Sequence, residues 1–459
     1  HYFPLVKYLA IFEFNNSFSP FIEDLENVML PFYSVAIPSI FYKFVGSFSF
    51  IIIEYIFIFL FILTLYKIFN LYYSRELSIF YALVIFVTPI VFSLFPVSDL
   101  TYLKIIKDDI FTLRFPRPLI TSWFLFIFLY IILSLEKKEF FTKKNFFILG
   151  IILGVTLSSF YYFFFLQVSI LIIYLFYRYK LSIFSKLLQN WKSTIILILT
   201  LIIIISPMII NMNAHEEDYT RRLGIISLNI EQKIILIKYY LSAYLKIELI
   251  ISLILSTLLV LTLNFKKFYN YKLTNIFYIF FVSSLTAPLL FILLTNKSGI
   301  LYHFNNTVII FLFLLILIII FNFISRLPLK YLQTKIINLA SIFLIICCIL
   351  TNIFKAVPLN QNEIVKERNE FNDLSKIILK KYNLKESTLL TFDDRFMVWA
   401  VLNDIKYLNL TYFILSPKKD EMIEDDLIKS FKLLNLDKKE FSSFISNTVL
   451  KGDIVSIIE

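Results

Sequence analysis

Apolar residues occur along this chain in long runs separated by short polar stretches. Runs that are nearly free of charge fall at about 47–69, 78–96, 119–135, 146–159, 160–177, 193–211, 246–264, 275–295, 308–325 and 336–354. About twenty such residues cross a hydrocarbon core of about 30 Å as one helix, so the pattern predicts about ten membrane-spanning helices. The stretch 146–177 carries no charge and is too long for one crossing. It reads as two helices joined by a tight turn at Ser158–Ser159, with a single tilted helix as the alternative. A transmembrane barrel would instead alternate apolar and polar positions over strands of about ten residues.

The segments between the runs are of two kinds. One kind is short and basic, carrying Lys67 and Arg75; Lys137, Lys138, Lys143 and Lys144; Arg178, Lys180, Lys186 and Lys192; Lys266, Lys267 and Lys272; and Arg326, Lys330 and Lys335. Against these stand Glu76, Glu136 and Glu139. The other kind is longer and mixed in sign, at 1–46, 97–118, 212–245 and 296–307. The excess of Lys and Arg assigns the first kind to the cytoplasm and the second to the outside. The expected membrane domain is 1–355. From about 356 to 459 the chain turns polar. NEIVKERNEFNDLSKIILKKY (362–382) is patterned as an amphipathic helix, and STLLTF (387–392) and IKYLNL (405–410) read as short strands around DDRFMVWAVLN. The expectation is a small extracytoplasmic α/β domain, giving a mainly α, polytopic fold with a tail domain on the face of the long loops. The opening HYFPLVKYLA has no signal peptide and reads as a loop, so at least one further membrane helix, and more spans in the full chain, are expected before His1.

Composition agrees with this picture. The chain is 59% hydrophobic and 17% charged, with 53 Phe and 28 Tyr among 459 residues, more apolar surface than a soluble domain can hide. The net charge of +11 sits in the short loops, which accounts for it by membrane orientation and leaves no call for nucleic acid. Cys347 and Cys348 are neighbours inside an apolar run and read as small packed residues that cannot readily bridge each other.

Candidate chemistry lies in the mixed loops. KDDIFTLRFPRPLITSW (107–123) places Asp108 and Asp109 before Arg114 and Arg117, which lie two residues and one residue ahead of a proline. Outer-face arginines are not explained by orientation. They serve either as interfacial anchors that reach lipid headgroups or as forks that grip a fixed phosphate, with the nearby carboxylates acting as base or metal ligands. NAHEEDYTRRLG (213–224) repeats the combination with His215, Glu216, Glu217, Asp218, Arg221 and Arg222; a solvated charge run is its plainer reading. TNKSGILYHFNNT (295–307) adds Lys297 and His303. MLPFYSVAIPSIFYKFVG, after Glu23, Asp24 and Glu26, looks like a proline-interrupted amphipathic segment along the membrane surface. Within the helices Glu54 is the clear charge. Glycine-rich phosphate loops, nucleophile elbows and metalloprotease motifs are absent from the sequence.

Taken together, FIEDLENVMLPFYSVAIPSIFYKFVG, VSDLTYLKIIKDD, the closely paired helices around LGIILGVTLSSFYYFF and the extracytoplasmic tail give an architecture that resembles the GT-C-type membrane glycosyltransferases. The resemblance implies transfer of a sugar from a polyprenyl-phosphate donor to a glycan, lipid or protein acceptor, in a cell envelope such as the bacterial inner (plasma) membrane. It implies a catalytic carboxylate in an early outer loop, which falls at or before His1, and a second acidic position that Asp99 or the Asp108–Asp109 pair would fill. Arg114, Arg117, His215, Glu216, Glu217, Arg221, Arg222 and His303 would bind substrate, and a divalent cation such as Mg or Mn could accompany the carboxylates. FYYFFFLQ (160–167) could line the lipid groove or belong to the core. Two other readings remain: a polymerase or ligase of lipid-linked oligosaccharide, and a flippase, which would need paired intramembrane charges and related halves. A purely structural membrane protein would not need acidic–basic clusters on several loops of one face.

Overall fold

The computed structural model describes residues 3–10, 32–92, 119–136, 138–212, 226–244, 247–265, 271–299, 301–325, 330–355, 363–382, 389–391 and 407–409, with isolated positions between 421 and 433. The described residues are overwhelmingly helical. In chain order the helices are α1 (Phe3–Ala10), α2 (Phe32–Val45), α3 (Phe48–Asn70), α4 (Arg75–Phe92), α5 (Leu119–Leu135), α6 (Lys143–Leu157), α7 (Tyr161–Tyr179), α8 (Ile183–Gln189), α9 (Trp191–Met212), α10 (Ile230–Tyr244), α11 (Ile247–Phe265), α12 (Tyr271–Thr295), α13 (Leu301–Ile324), α14 (Lys330–Lys355) and α15 (Glu363–Lys381).

Among the described residues five stretches are long and apolar enough to cross a membrane: Phe48–Asn70, Tyr161–Gln189, Trp191–Ile209, Tyr271–Thr295 and His303–Ile324. Leu119–Leu135 and Ile250–Leu263 are shorter apolar helices. α5 occupies the residues expected of it, and the uncharged stretch 146–177 breaks into α6 and α7 at a turn that includes Ser158 and Ser159. The single tilted helix is therefore excluded.

The helices are apolar inside and out. A continuous core runs from Ile53, Phe57 and Phe61 of α3 through Phe126 and Leu129 of α5 and Leu166 of α7 to Phe280 of α12 and Phe311 of α13. At the same time Phe48, Tyr55 and Phe59 on α3, Ile198, Leu199, Ile202 and Ile203 on α9, and Leu339, Ile342, Phe343 and Ile346 on α14 are exposed. Helices apolar all round suit a lipid surround.

Polar bonds join the helices at their ends, and the two ends differ. At one end the Tyr72 hydroxyl donates to Glu136 (2.5 Å), Tyr73 donates to Asn322 Oδ1 (2.7 Å), and the Asn322 amide donates to Thr274 (2.6 Å). The Arg178 guanidinium donates to the carbonyls of Leu135 (2.7 Å), the last residue of α5, and of Lys138 (2.9 Å) in the segment that follows, so it satisfies a terminal carbonyl that has no partner within the helix. Burial, with the Glu136 carboxylate beside it, pushes the Tyr72 phenol far above its usual range. These contacts gather the basic segments at 71–75, 136–144 and 178–180, and the start of α12, on one face.

α6 and α9 approach most closely. A Cβ placed at Gly150 would sit 2.8 Å from Thr200 Cβ, and one at Gly154 would sit 2.7 Å from Ile204 Cβ. Glycines four residues apart share one helix face, and here they let two backbones touch, as small residues do in membrane helix pairs.

In the tail, α15 is followed by two three-residue strands, β1 (Leu389–Thr391) and β2 (Tyr407–Asn409), paired in parallel with Leu389 opposite Tyr407 and Thr391 opposite Asn409. They lie within the two segments expected as strands; the segment between them is outside the described residues.

A candidate functional site at the non-basic end

The end opposite the basic segments is held by three sets of contacts. In the first, α2 docks on the 158–159 turn. The backbone N–H of Phe32 donates to the Ser158 carbonyl (2.7 Å), the N–H of Ser34 to Ser159 Oγ (3.2 Å), and the Tyr33 hydroxyl to the Ile204 carbonyl on α9 (2.7 Å). α2 is the proline-interrupted segment of the sequence reading. It leaves this anchor and ends at Gly46, whose φ of +58° lies in the region glycine tolerates.

In the second, residues 226–228 pair with 296–298. Leu228 N–H donates to the Asn296 carbonyl (2.8 Å), Ser298 N–H donates to the Ile226 carbonyl (2.8 Å), and Ser227 and Lys297 form an antiparallel bridge. Asn296 reaches this pairing by adopting a φ of +55° at the end of α12, a left-handed terminus that Asn supports better than most residues. Directly after the strap, Asn229 and Gln232 bond reciprocally, Gln232 N–H to Asn229 Oδ1 (2.8 Å) and Asn229 N–H to Gln232 Oε1 (3.0 Å). This capping box starts α10, a helix inside a segment that the charge pattern reads only as a loop. The motif Asn-Ile-Glu-Gln was the available signal.

In the third, aromatic rings surround His303. Its imidazole lies 5.1 Å from the Phe160 ring at 83° and 4.7 Å from the Tyr162 ring at 51°. Tyr162 also packs on Phe304 (4.9 Å), and Tyr161 stacks on Phe291 (5.5 Å, 25°). The Tyr161 and Tyr162 hydroxyls are hydrogen-bonded to each other. The strap sits against this cluster, since a Cβ at Gly299 would come within 2.9 Å of the Phe291 ring and 3.4 Å of the Tyr162 ring. Tyr162, Phe291 and Phe304 are buried, while Phe160, Tyr161 and His303 are half-buried and form the rim.

Of the residues given catalytic or substrate-binding roles from the sequence, His303 is the one described. It stands in the first turn of α13, which begins at Leu301, well before the apolar run expected from 308. Asp99, Asp108, Asp109, Arg114, Arg117, His215, Glu216, Glu217, Arg221 and Arg222 lie outside the described residues. Lys297 contributes its backbone to the strap, and the neighbouring Lys233 ammonium donates to Asn296 Oδ1 (2.5 Å). Glu54 is half-buried on α3. Among the described residues no group of three or more His, Cys, Asp or Glu is placed to hold a metal ion. Phe160 and Tyr162 belong to the aromatic run 160–167 noted in the sequence, but their pairing with His303 escapes sequence reasoning because they lie over 100 residues away in the chain.

No family model, curated protein or solved structure matches this chain. The reading of its function rests on its own residues.

Proposed function

We propose that the protein is an integral membrane glycosyltransferase that moves a sugar from a polyprenyl-phosphate donor to a glycan, lipid or protein acceptor on the extracytoplasmic face. The observation that carries the reading is the assembly at the non-basic end. Segments from the first, third and fourth mixed loops and the 158–162 turn meet there or at shared helix ends, whereas the basic segments gather at the other end. A chain that needed those segments only as connectors would not need to tie them together with backbone bonds.

In this reaction a carboxylate among Asp99, Asp108 and Asp109 takes the proton of the acceptor hydroxyl. The acceptor oxygen forms a bond to the anomeric carbon, the bond from that carbon to the phosphate oxygen breaks, and the polyprenyl phosphate leaves with the electron pair. Arg114 and Arg117 offset the charge that develops on the phosphate. A divalent cation such as Mg or Mn, if bound by the same carboxylates, would share that task. The membrane is the bacterial inner (plasma) membrane, the ten spans are retained, and the tail from 356 is an extracytoplasmic α/β domain.

The test is transfer of labelled sugar from polyprenyl phosphate in membranes, normalised to inserted protein. Arg114→Ala and Arg117→Ala should insert normally and lose about a hundred- to thousandfold in turnover, the usual effect of removing one charge-stabilising donor. Arg→Lys should restore only part, because an ammonium cannot reproduce the planar fork. Full turnover in both alanine variants would leave the two arginines as interfacial anchors.

A further inference from the structure

We infer that the segment 180–192, at the basic end of the molecule, lies in the membrane surface and binds the headgroup phosphates of anionic phospholipid. A left-handed φ of +51° at Lys180 ends α7, a conformation that residues with a side chain rarely hold. A 3-10 turn (Lys180–Ser182) and α8 follow before α9 starts at Trp191. The Phe184 ring comes back to within 5.9 Å of Phe176, whereas residues eight apart on one straight helix lie about 12 Å apart. So α8 does not prolong α7. Ile183 is buried and Leu187 packs on the core, but Leu181, Phe184, Leu188 and Trp191 are exposed, Leu181 and Leu188 by 79% and 76%. These four recur at steps of three and four, the spacing of one helix face, and Ser182, Ser185 and Gln189 take the other side. Water is a costly cover for such an apolar strip. Hydrocarbon is at hand, because the stretches carrying α7 and α9, which the segment joins, are both long and apolar enough to cross a membrane. An apolar edge and a polar edge, anchored at both ends in the bilayer, are the form of an interfacial helix.

Charge names the lipid. From Arg178 to Lys192 the sequence holds no carboxylate. Arg178 is taken up by backbone carbonyls, but the Lys180, Lys186 and Lys192 ammonium groups donate no hydrogen bond among the described residues. Lys186 lies over the Tyr179 ring (5.3 Å) and Lys192 over the Trp191 ring (5.7 Å), which holds these cations at the level where tyrosine and tryptophan sit in a membrane. The 138–144 segment is tied alongside through Phe141, whose ring meets Tyr179 (5.3 Å) and whose carbonyl accepts from Ser193 Oγ (3.4 Å). It adds exposed Lys138, Lys143 and Lys144 against the exposed Glu139, while Glu136 is occupied by Tyr72. Ammonium groups and phosphates pair through charge-assisted hydrogen bonds.

The experiment follows Trp191 fluorescence in the full chain in phosphatidylcholine nanodiscs. These contain brominated phosphatidylglycerol or, at equal content, brominated phosphatidylcholine. Bromine quenches at short range, and subtracting the Trp191→Phe protein isolates the Trp191 signal. Brominated phosphatidylglycerol should quench about fivefold more effectively, the preference that one lysine supplies at an anionic surface. Added NaCl should reduce that preference by screening. Lys180→Gln, Lys186→Gln and Lys192→Gln together should abolish it, and the three Lys→Arg changes together should keep it. In the Trp191→Phe chain, Phe59→Trp on the exposed face of α3 reports on lipid away from the segment and should be quenched alike by both lipids. Equal quenching of Trp191 by the two lipids, a preference that survives the glutamine changes, or the same preference at position 59 would overturn the proposal. So would loss of the preference on adding inorganic phosphate at constant ionic strength, which marks a site for a free anion instead of a lipid surface.

Discussion

Replacing Gly150 and Gly154 together by alanine should destabilise the protein, and the sign of the effect is the informative part. Carbon atoms pack best at about 3.5–4.0 Å. The new methyl carbons would lie 2.8 Å from Thr200 Cβ and 2.7 Å from both Ile204 Cβ and Cγ2, with the Leu197 carbonyl oxygen at 2.9 Å from the first. Each site is therefore short by about 1 Å. Thr200 and Ile204 are β-branched, and the offending atom in each is the Cβ itself, so rotamer changes cannot clear it. α9 would have to move away. Overpacking of this kind costs about 1–3 kcal/mol per site, or about 2–6 kcal/mol for two independent sites. Alanine recovers about 1 kcal/mol per site because glycine is the poorer helix former. The net expectation is a loss of about 2 kcal/mol, within a range from about zero to 4 kcal/mol. Were the helices not in contact, helix propensity alone would raise stability by about 2 kcal/mol. Reversible unfolding in mixed detergent and SDS micelles, followed by circular dichroism, measures the difference. A double variant more stable than the wild type would refute the close approach of α6 and α9.

Other outcomes follow from the same contacts. Cysteines placed in 137–144 should react with an impermeant thiol reagent only from the cytoplasm, and those in 213–222 or the tail only from outside; reversed labelling would split the proposed active face. Asn322→Leu should cost about 1–3 kcal/mol for each partner it strands, Tyr73 and Thr274, read as a lower unfolding midpoint in the same assay. Combining it with Tyr73→Phe should cost less than the sum of the two single changes, because both remove one bond; simple additivity would contradict the Tyr73–Asn322 contact.

Much of the helical frame was legible because a membrane imposes length and apolarity on each crossing. Leu119–Leu135 and the break at Ser158–Ser159 follow from that constraint alone. Hydropathy failed where a helix carries polar residues. α13 begins at Leu301, but Tyr302, His303, Asn305 and Asn306 in its first turns pushed the apolar run to 308. α10 was passed over because Glu231, Lys233 and Lys238 mark its segment as a loop, although charge decides sidedness and not backbone conformation. Gly150 and Gly154 are visible as letters, but their value depends on Thr200 and Ile204, some fifty residues later. The candidate site was legible in part. His303 was picked as a polar residue on the right loop, while the rings that hold it are distant in sequence. The Asp and Arg clusters at 99–117 and 215–222 keep the standing their chemistry gives them, outside the described residues.

The strap between 226–228 and 296–298 also bears on how the chain is made. Between its two halves lie α10, α11 and α12, and in the proposed topology α11 crosses inward and α12 back out. In that topology residues 226–228 leave the ribosome first and reach the outer side without their partner. The bridge can close only after Asn296–Ser298 have been delivered by the returning α12. Until then the capped helix α10 hangs from the membrane surface by its neighbours in sequence alone. Closure of the strap then marks the moment when the α11–α12 hairpin is fully inserted, so a chain arrested before residue 295 should expose 226–229 to external protease and one arrested well beyond it should not.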